Sequence, residues 1–377
     1  MSAPAVPTHI DDPVNAQILA VSEDKVQGFH RSPLQAIADA SGVDLDTVIA
    51  RIRAMLEAGT IRRVRQTLLA TSLAPGALVA WRIPQDRVKD AFDFMFTQDP
   101  FSGHVVTRTT DQETPGSEYR LWTTVKVPHP FDMDAHCRYL MAQTGATAYK
   151  LLPAKNLFTL GVGHVRRRTI EPGDKTDEPG RVQDTLVVEL TEREWRVIVA
   201  LKREFAPDEL QAELWAPRAA EAGETIEDFC AIAESLNERR VIGRFSTFLE
   251  HVKQHVDGTR VTRYNALFHW RVPGGMEVRA GREVGRFHCM THASWREGGP
   301  EFADVNIMGV SHGTEKERVL AHKAAIDAHL EAEGIPVGYT NVFWGGRSEI
   351  KPSEISPIAY RAWCESRGID PATMTAA

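Results

Sequence analysis

The sequence predicts an α+β fold written twice. A winged helix-turn-helix leads into a ferredoxin-like β-α-β-β-α-β unit, the same order follows again, and the two halves form an intramolecular pseudo-dimer. Three observations carry this expectation. The stretch ALVAWRIP (77–84) returns as ALFHWRVP (266–273). Matched residues such as Ala77/Ala266, His104/His288 and Asn156/Asn341 keep a nearly constant offset. Between the halves, EPGDKTDEPGRVQD (171–184) is rich in Pro, Gly and acids without an apolar period, which is linker composition.

In the first half, Asp12-Pro13 supplies an N-cap followed by Pro at the first helical position, and Ile18 and Leu19 give that helix an apolar side. Ser32-Pro33-Leu34-Gln35 reads as a capping box opening a second helix, which Gly42 ends. Asp44 starts a third, where Val48, Ile52 and Met55 recur at helical spacing until Gly59. IRRVRQTLLA (61–70) follows as a strand or wing. Next come a strand at 77–83, a helix over Val88, Phe92 and Phe96, strands at 101–109 and 118–127, a helix over 131–143 and a last strand near 156–163.

The second half retraces this order. Thr191-Glu-Arg-Glu194 is a capping box before Trp195, Ile198 and Val199, and Thr225 starts a helix with Phe229, Ala233 and Leu236 on one side. VIGRFSTFLEH (241–251) parallels the first wing. NALFHWRV, REVGRFHCMT, ADVNIMGVSH, a helix over 315–333 and VGYTNVFW repeat the ferredoxin-like pattern with one shorter helix. The expected boundaries are 1–70 and 185–255 for the winged helices, 71–170 and 256–350 for the ferredoxin-like domains, 171–184 for the linker, and 351–377 for a tail with a short helix.

Composition narrows the function classes. The chain has 377 residues, 42% of them hydrophobic and 25% charged, which suits a globular protein of two or more domains. No stretch approaches a membrane span, and the N-terminus lacks an export signal. The four cysteines are scattered with no CxxC, which argues against disulfides, zinc ribbons and iron–sulfur clusters. A reducing cytoplasm is the expected compartment. The net charge of −7 disfavours nucleic acid as a partner.

Strand alternation puts His104, Val106 and Arg108 on one face, and likewise His288, Met290 and His292. Ionisable pairs on both central strands suit an anionic ligand that needs charge neutralisation and a proton donor. A strand histidine taken singly is more often a structural residue than a catalyst. The arginines, including Arg63, Arg65, Arg120 and Arg166 to Arg168, are individually unremarkable: most are expected to be solvated or paired on the surface, and about a third to face a ligand. Trp122 reads either as core or as a platform for a planar ligand.

Taken together, the chain resembles the siroheme decarboxylases of Lrp/AsnC architecture, in their fused two-half form. The resemblance rests on GTIRRV (59–64), VAWRIPQD (79–86), His104 and Arg108, YRLWTT (119–124) and LLPAKNLFTLGV (151–162). In the second half it rests on His288-Cys289, VNIMGVSHG (305–313) and YTNVFW (339–344). The family pattern is His, a variable residue, Tyr, another, then Arg; here Val106 and Met290 stand at the tyrosine, and His292 at the second arginine. The resemblance implies removal of CO2 from siroheme acetates to give didecarboxysiroheme, for d-type heme or an alternative heme route. It implies His104 and His288 as catalytic residues and Arg108, Tyr119, Arg120, Trp122, Arg63, Arg65 and His292 around the substrate. The iron belongs to the tetrapyrrole substrate, so no cofactor and no protein metal site are expected. Partners would be siroheme or a related tetrapyrrole, with a homodimer or pathway enzymes left open. Two other readings compete: a non-catalytic tetrapyrrole carrier or sensor, and a transcription regulator. Against the last, Asp44 and Asp46 stand where a recognition helix would meet DNA phosphates.

Overall fold

A computed structural model of the chain describes residues 6–69, 73–158, 170–183, 188–249 and 264–375. In chain order the elements are α1 (Pro13–Ser22), α2 (Pro33–Ser41), α3 (Leu45–Glu57), β1 (Ile61–Leu68), β2 (Gly76–Arg82), α4 (Val88–Thr97), β3 (Ser102–Thr109), β4 (Tyr119–Lys126), α5 (Met133–Thr144), β5 (Ala148–Pro153) and β6 (Asn156–Leu157). The second half continues with α6 (Glu192–Lys202), α7 (Trp215–Ala222), α8 (Ile226–Glu238), β7 (Ile242–Leu249), β8 (Tyr264–Arg271), α9 (Glu277–Val284), β9 (Met290–Trp295), β10 (Ile307–Gly313), α10 (Lys316–Ala332), β11 (Tyr339–Ile350) and α11 (Pro357–Ser366). They form two compact units, 1–73 with 185–253, and 74–184 with 254–377.

The first unit collects α1 to α3 and α6 to α8. Its helices start where the sequence chemistry puts them. Asp12 accepts from the Val14 and Asn15 amides, Asp44 from Thr47, and the Thr191/Glu194 capping box is formed. Ser32 is different: it makes no side-chain cap, and the Gln35 side chain donates to Asp39 at 2.7 Å. The two wing segments do not fold back on themselves. β1 and β7 pair antiparallel with each other in a two-stranded ribbon.

The second unit contains one nine-stranded sheet in the order β5-β2-β4-β3-β11-β8-β10-β9-β6. Each half contributes the ferredoxin-like order of fourth, first, third and second strand: β5-β2-β4-β3 and β11-β8-β10-β9. The fourth strand of the first half is Ala148–Pro153, not the segment near 156–163. Its expected end, and the arginines 166 to 168, lie outside the described residues. Asn156 and Leu157 instead add a short strand to β9, just as β11 extends onto β3, so each half lends its last strand to the other's second. The halves are thus joined edge to edge rather than merely stacked. Since β5 and β6 are separated by two residues yet end the strand order, the sheet curls back upon itself.

Three apolar clusters follow from that curl. On the outer face, Val79, Trp81, Val105, Leu121 and Val125 pack under α4 and α5. Tyr360, Trp363, Cys364 and Met374 of the C-terminal segment complete this cluster, so the tail covers the first half. The equivalent outer face of the second half packs Phe268, Trp270 and Ile307 under α9 and α10. The inner face joins Ala80, Val106, Tyr119, Trp122 and Leu152 to Leu267, Phe302, Val305, Met308 and Phe343. Trp122 packs 5.5 Å from both Phe302 and Phe343, so aromatic side chains fill this part of the inner face.

The expected linker is also more than a spacer. His288 donates its amide to Asp174 O, and Arg286 donates to Thr176 O and Asp177 O. Lys175 Nζ lies 2.7 Å from His329 Nδ1, whose Nε2 meets Glu283 at 2.7 Å. Residues 174–183 therefore lie as a strap along α9 and the start of β9. Glu283, His329 and Glu333 cluster as metal ligands would, but Lys175 and Arg286 already supply the compensating charge.

Candidate carboxylate-binding and proton-transfer site

β3 alternates as expected: Val105 enters the outer core while His104, Val106 and Arg108 face inward. His104 is half-buried, and its Nε2 shares a 2.8 Å hydrogen bond with Ser348 Oγ of β11. Burial first, with smaller effects from the neighbouring Arg108, His292 and His312, pushes its pKa down to about 4, so its imidazole is neutral at pH 7.

Arg108 is 4% exposed and has no carboxylate within ion-pairing distance among the described residues. It donates to Phe343 O at 3.2 Å and lies 3.5 Å from Asn265 Oδ1, while its Nε has no partner. Burial alone draws its pKa down to about 9. A guanidinium held in such a place without a counter-ion is poised for an anion.

The second half places its pair differently from the sequence expectation. β9 starts only at Met290, and Thr291 is an extra residue in its pairing with β10, since Ser311 faces Met290 and Val310 faces His292. This bulge breaks the alternation. Met290 enters the outer core beside Cys289, while His292 turns inward. His288 sits before the strand, against the strap, and does not join His104.

Register identifies the true counterpart of the first pair. His104 faces Thr124 and Val106 faces Trp122 on β4; His292 faces Val310 and Ser294 faces Met308 on β10. His292-x-Ser294-x-Arg296 therefore repeats His104-x-Val106-x-Arg108. Arg296 behaves as its position requires. It donates to Leu152 O, just as Arg108 donates to Phe343 O on the strand paired the same way with β8. Burial draws its pKa down to about 10, and among the described residues it too lacks an acidic partner. Its Nε bonds Ser294 Oγ at 3.0 Å; at Arg108, Val106 replaces that serine, which explains the orphaned Nε.

The other expected site residues fall elsewhere. Trp122 is 0% exposed, its Nε1 donating to Tyr119 O at 2.7 Å, so it is a core residue without a free face for a ligand. Tyr119 packs against Phe302 and is nearly buried. Arg120 lines a cleft of about 1120 Å³ beside the 109–118 loop, together with Arg82 and Arg108. That cleft is mixed in sign, with Asp111, Glu113, Glu118 and Glu301 in its wall, and no histidine lines it. Arg63 and Arg65 belong to the first unit, where Arg63 pairs with Glu204 at 3.3 Å and Arg65 stacks over Phe248 at 5.3 Å.

Three residues not singled out from the sequence, Asn265, His312 and His269, join the inner face. Asn265 and His312 face each other across β8 and β10. His269 also lies there, 1% exposed against Phe343 and Trp122, with Nε2 unpaired and its pKa pushed down to about 3 by burial. His104, His292 and His312 remain open to solvent in part or largely, so these imidazoles are not sealed in dry interiors.

Residues 73–159 match the AsnC-like ligand binding domain family. A search of curated proteins returned no match. Among solved structures, siroheme decarboxylase NirDL aligns with TM-score 0.66 and 18% identity, over 94% of this chain and 98% of that chain. A structure of siroheme decarboxylase NirDL in co-complex with an iron-uroporphyrin III analogue aligns with TM-score 0.66 and 17% identity, over 94% and 99%. No described helix is long and apolar enough to cross a membrane. Residues 73–159 are thus similar to an AsnC-like ligand binding domain, and the chain shares the fold of siroheme decarboxylase NirDL along 94% of its length.

Proposed function

We propose that this chain binds an iron tetrapyrrole bearing several carboxylates and removes CO2 from its acetate side chains, as a siroheme decarboxylase producing didecarboxysiroheme for d-type heme or an alternative heme route. One observation carries the reading: two arginines without acidic partners among the described residues, the buried Arg108 and the partly buried Arg296, each four residues after an inward histidine. Such a pair suits a ligand with carboxylates on opposite edges.

The reaction balances without an oxidant. The bond between the acetate methylene and its carboxylate carbon breaks, its electron pair passes into the conjugated macrocycle, and a proton converts the methylene to methyl as CO2 leaves. The arginines hold the carboxylates that stay, fixing which acetate meets an imidazole. The departing carboxylate sits away from these clamps, because stabilising it would oppose its loss. His104 is neutral in the free protein and becomes a competent acid once bound carboxylates raise its pKa.

Anaerobic incubation with siroheme, followed by mass spectrometry, tests the reading; sequential CO2 loss is expected. Siroheme recovered unchanged but bound would instead support a carrier. His104→Ala should slow single-turnover CO2 release by roughly 10²–10⁴-fold while changing siroheme binding far less.

A further inference from the structure

We propose that His312 is a carboxylate-binding residue of this site and that it gains a proton when the ligand arrives. The inference rests on the tetrapyrrole reading and refines it. Strand register sets Arg108, Gly345, Asn265 and His312 in one row across β3, β11, β8 and β10. Gly345 has no side chain, so the Arg108 guanidinium reaches over it towards Asn265, and His312 continues the row on the far side. The row is not duplicated. At the matching positions of the first half, Gly76 faces Lys126 where Asn265 faces His312. A macrocycle with carboxylates on opposite edges therefore meets an imidazole and amide at one pole and an ammonium at the other. That asymmetry selects one orientation of the ligand.

The charge environment makes the binding proton-coupled. The titratable groups acting on His312 are His292 on β9 and Arg108 on β3, which also carries His104; none is acidic. Burial first, and then the neighbouring His292 and Arg108, lower the pKa of His312, which favours its neutral form before a ligand binds. A carboxylate arriving among these groups is the missing counter-charge, and it draws a proton onto the imidazole. His312 remains solvent-accessible, so a ligand can reach it.

The test is calorimetric titration of the full chain with iron-uroporphyrin III at pH 7 in two buffers of different ionisation enthalpy. Wild type should take up protons on binding. His312→Gln should lower the uptake by about one proton and weaken binding about tenfold. His312→Lys should restore affinity without that proton, since lysine is already charged. Equal uptake in wild type and His312→Gln, with thermal melts showing both folded, overturns the proposal while leaving the tetrapyrrole reading intact. If iron-uroporphyrin III does not bind wild type, that reading falls and this proposal falls with it.

Discussion

Both terminal nitrogens of Arg108 on β3 lie 3.5 Å from Asn265 Oδ1 on β8, two strands away, with only the Gly345 backbone between them. A Cβ at position 345 would stand 3.1 Å from Asn265 Cβ and O. Gly345→Ala should therefore push Asn265 aside and remove an acceptor that orients Arg108. The expected cost is about 1–3 kcal/mol of stability and about tenfold weaker iron-uroporphyrin III binding. Denaturant melts and calorimetry check both; unchanged affinity would mean that Asn265 does not position the arginine.

Arg108 itself should show opposed effects on stability and binding. Its removal takes a hydrogen bond from Phe343 O, a loss of about 1–3 kcal/mol, but relieves a buried cation whose desolvation costs several kcal/mol. Arg108→Met should unfold at the same or a higher temperature than wild type in the absence of ligand. Its affinity for iron-uroporphyrin III should fall by more than about tenfold. A clearly destabilised variant would show that the cation is already satisfied in the free protein.

The fold was legible where side chains repeat and hidden where hydrogen-bond register decides. Trp81 and Trp270 announced the duplicated first strands, and both occupy equivalent places under the helices. Arg108 was found because β3 alternates without interruption through His104, Val106 and Arg108. His292 and Arg296 escaped as a pair because Thr291 is a bulge, which residue spacing does not reveal. The strand at 148–153 was missed because its burial hardly alternates. Asn265 and His312 carried no signal at all, since Gly76 and Lys126 occupy their places in the other half. Trp122 was read as a platform or core, and its contacts with Phe302 and Phe343 make it core.

The buried imidazole of His269 should shape acid stability. Its ordinary pKa of 6.5 is lowered to about 3 in the folded protein, by burial first and then by Arg108 and Lys323. Between these values the unfolded chain binds a proton that the folded chain refuses. Stability is thus fully present above about pH 6.5 and lost as pH falls towards about 3, by several kcal/mol in order of magnitude. His104, lowered to about 4, acts in the same direction. His269→Phe keeps the ring contacts with Trp122 and Phe343 and should flatten the loss between pH 6.5 and 4.5 in denaturant melts. Parallel wild-type and variant profiles would show that His269 protonates normally in the fold.

The AsnC-like match fits a regulator as well as an enzyme, so DNA binding needs its own test. α3 is the helix that would enter the major groove, and its basic residues are already engaged within the first unit. Arg51 pairs with Asp12 at 3.1 Å, and Arg53 donates to Pro207 O at 3.1 Å and Leu210 O at 2.6 Å. Its N-terminus presents Asp44, whose carboxyl is held below the usual range by the Thr47 amide, and Asp46 follows in the first turn. α8 opens with Glu227 and Asp228. Anionic groups at the end meant for bases repel phosphates, and few cations remain to release counter-ions. Gel shifts of the full chain with mixed-sequence duplexes should therefore show no complex at about 0.15 M salt. A retarded, sequence-selective complex under those conditions would return the chain to the regulators.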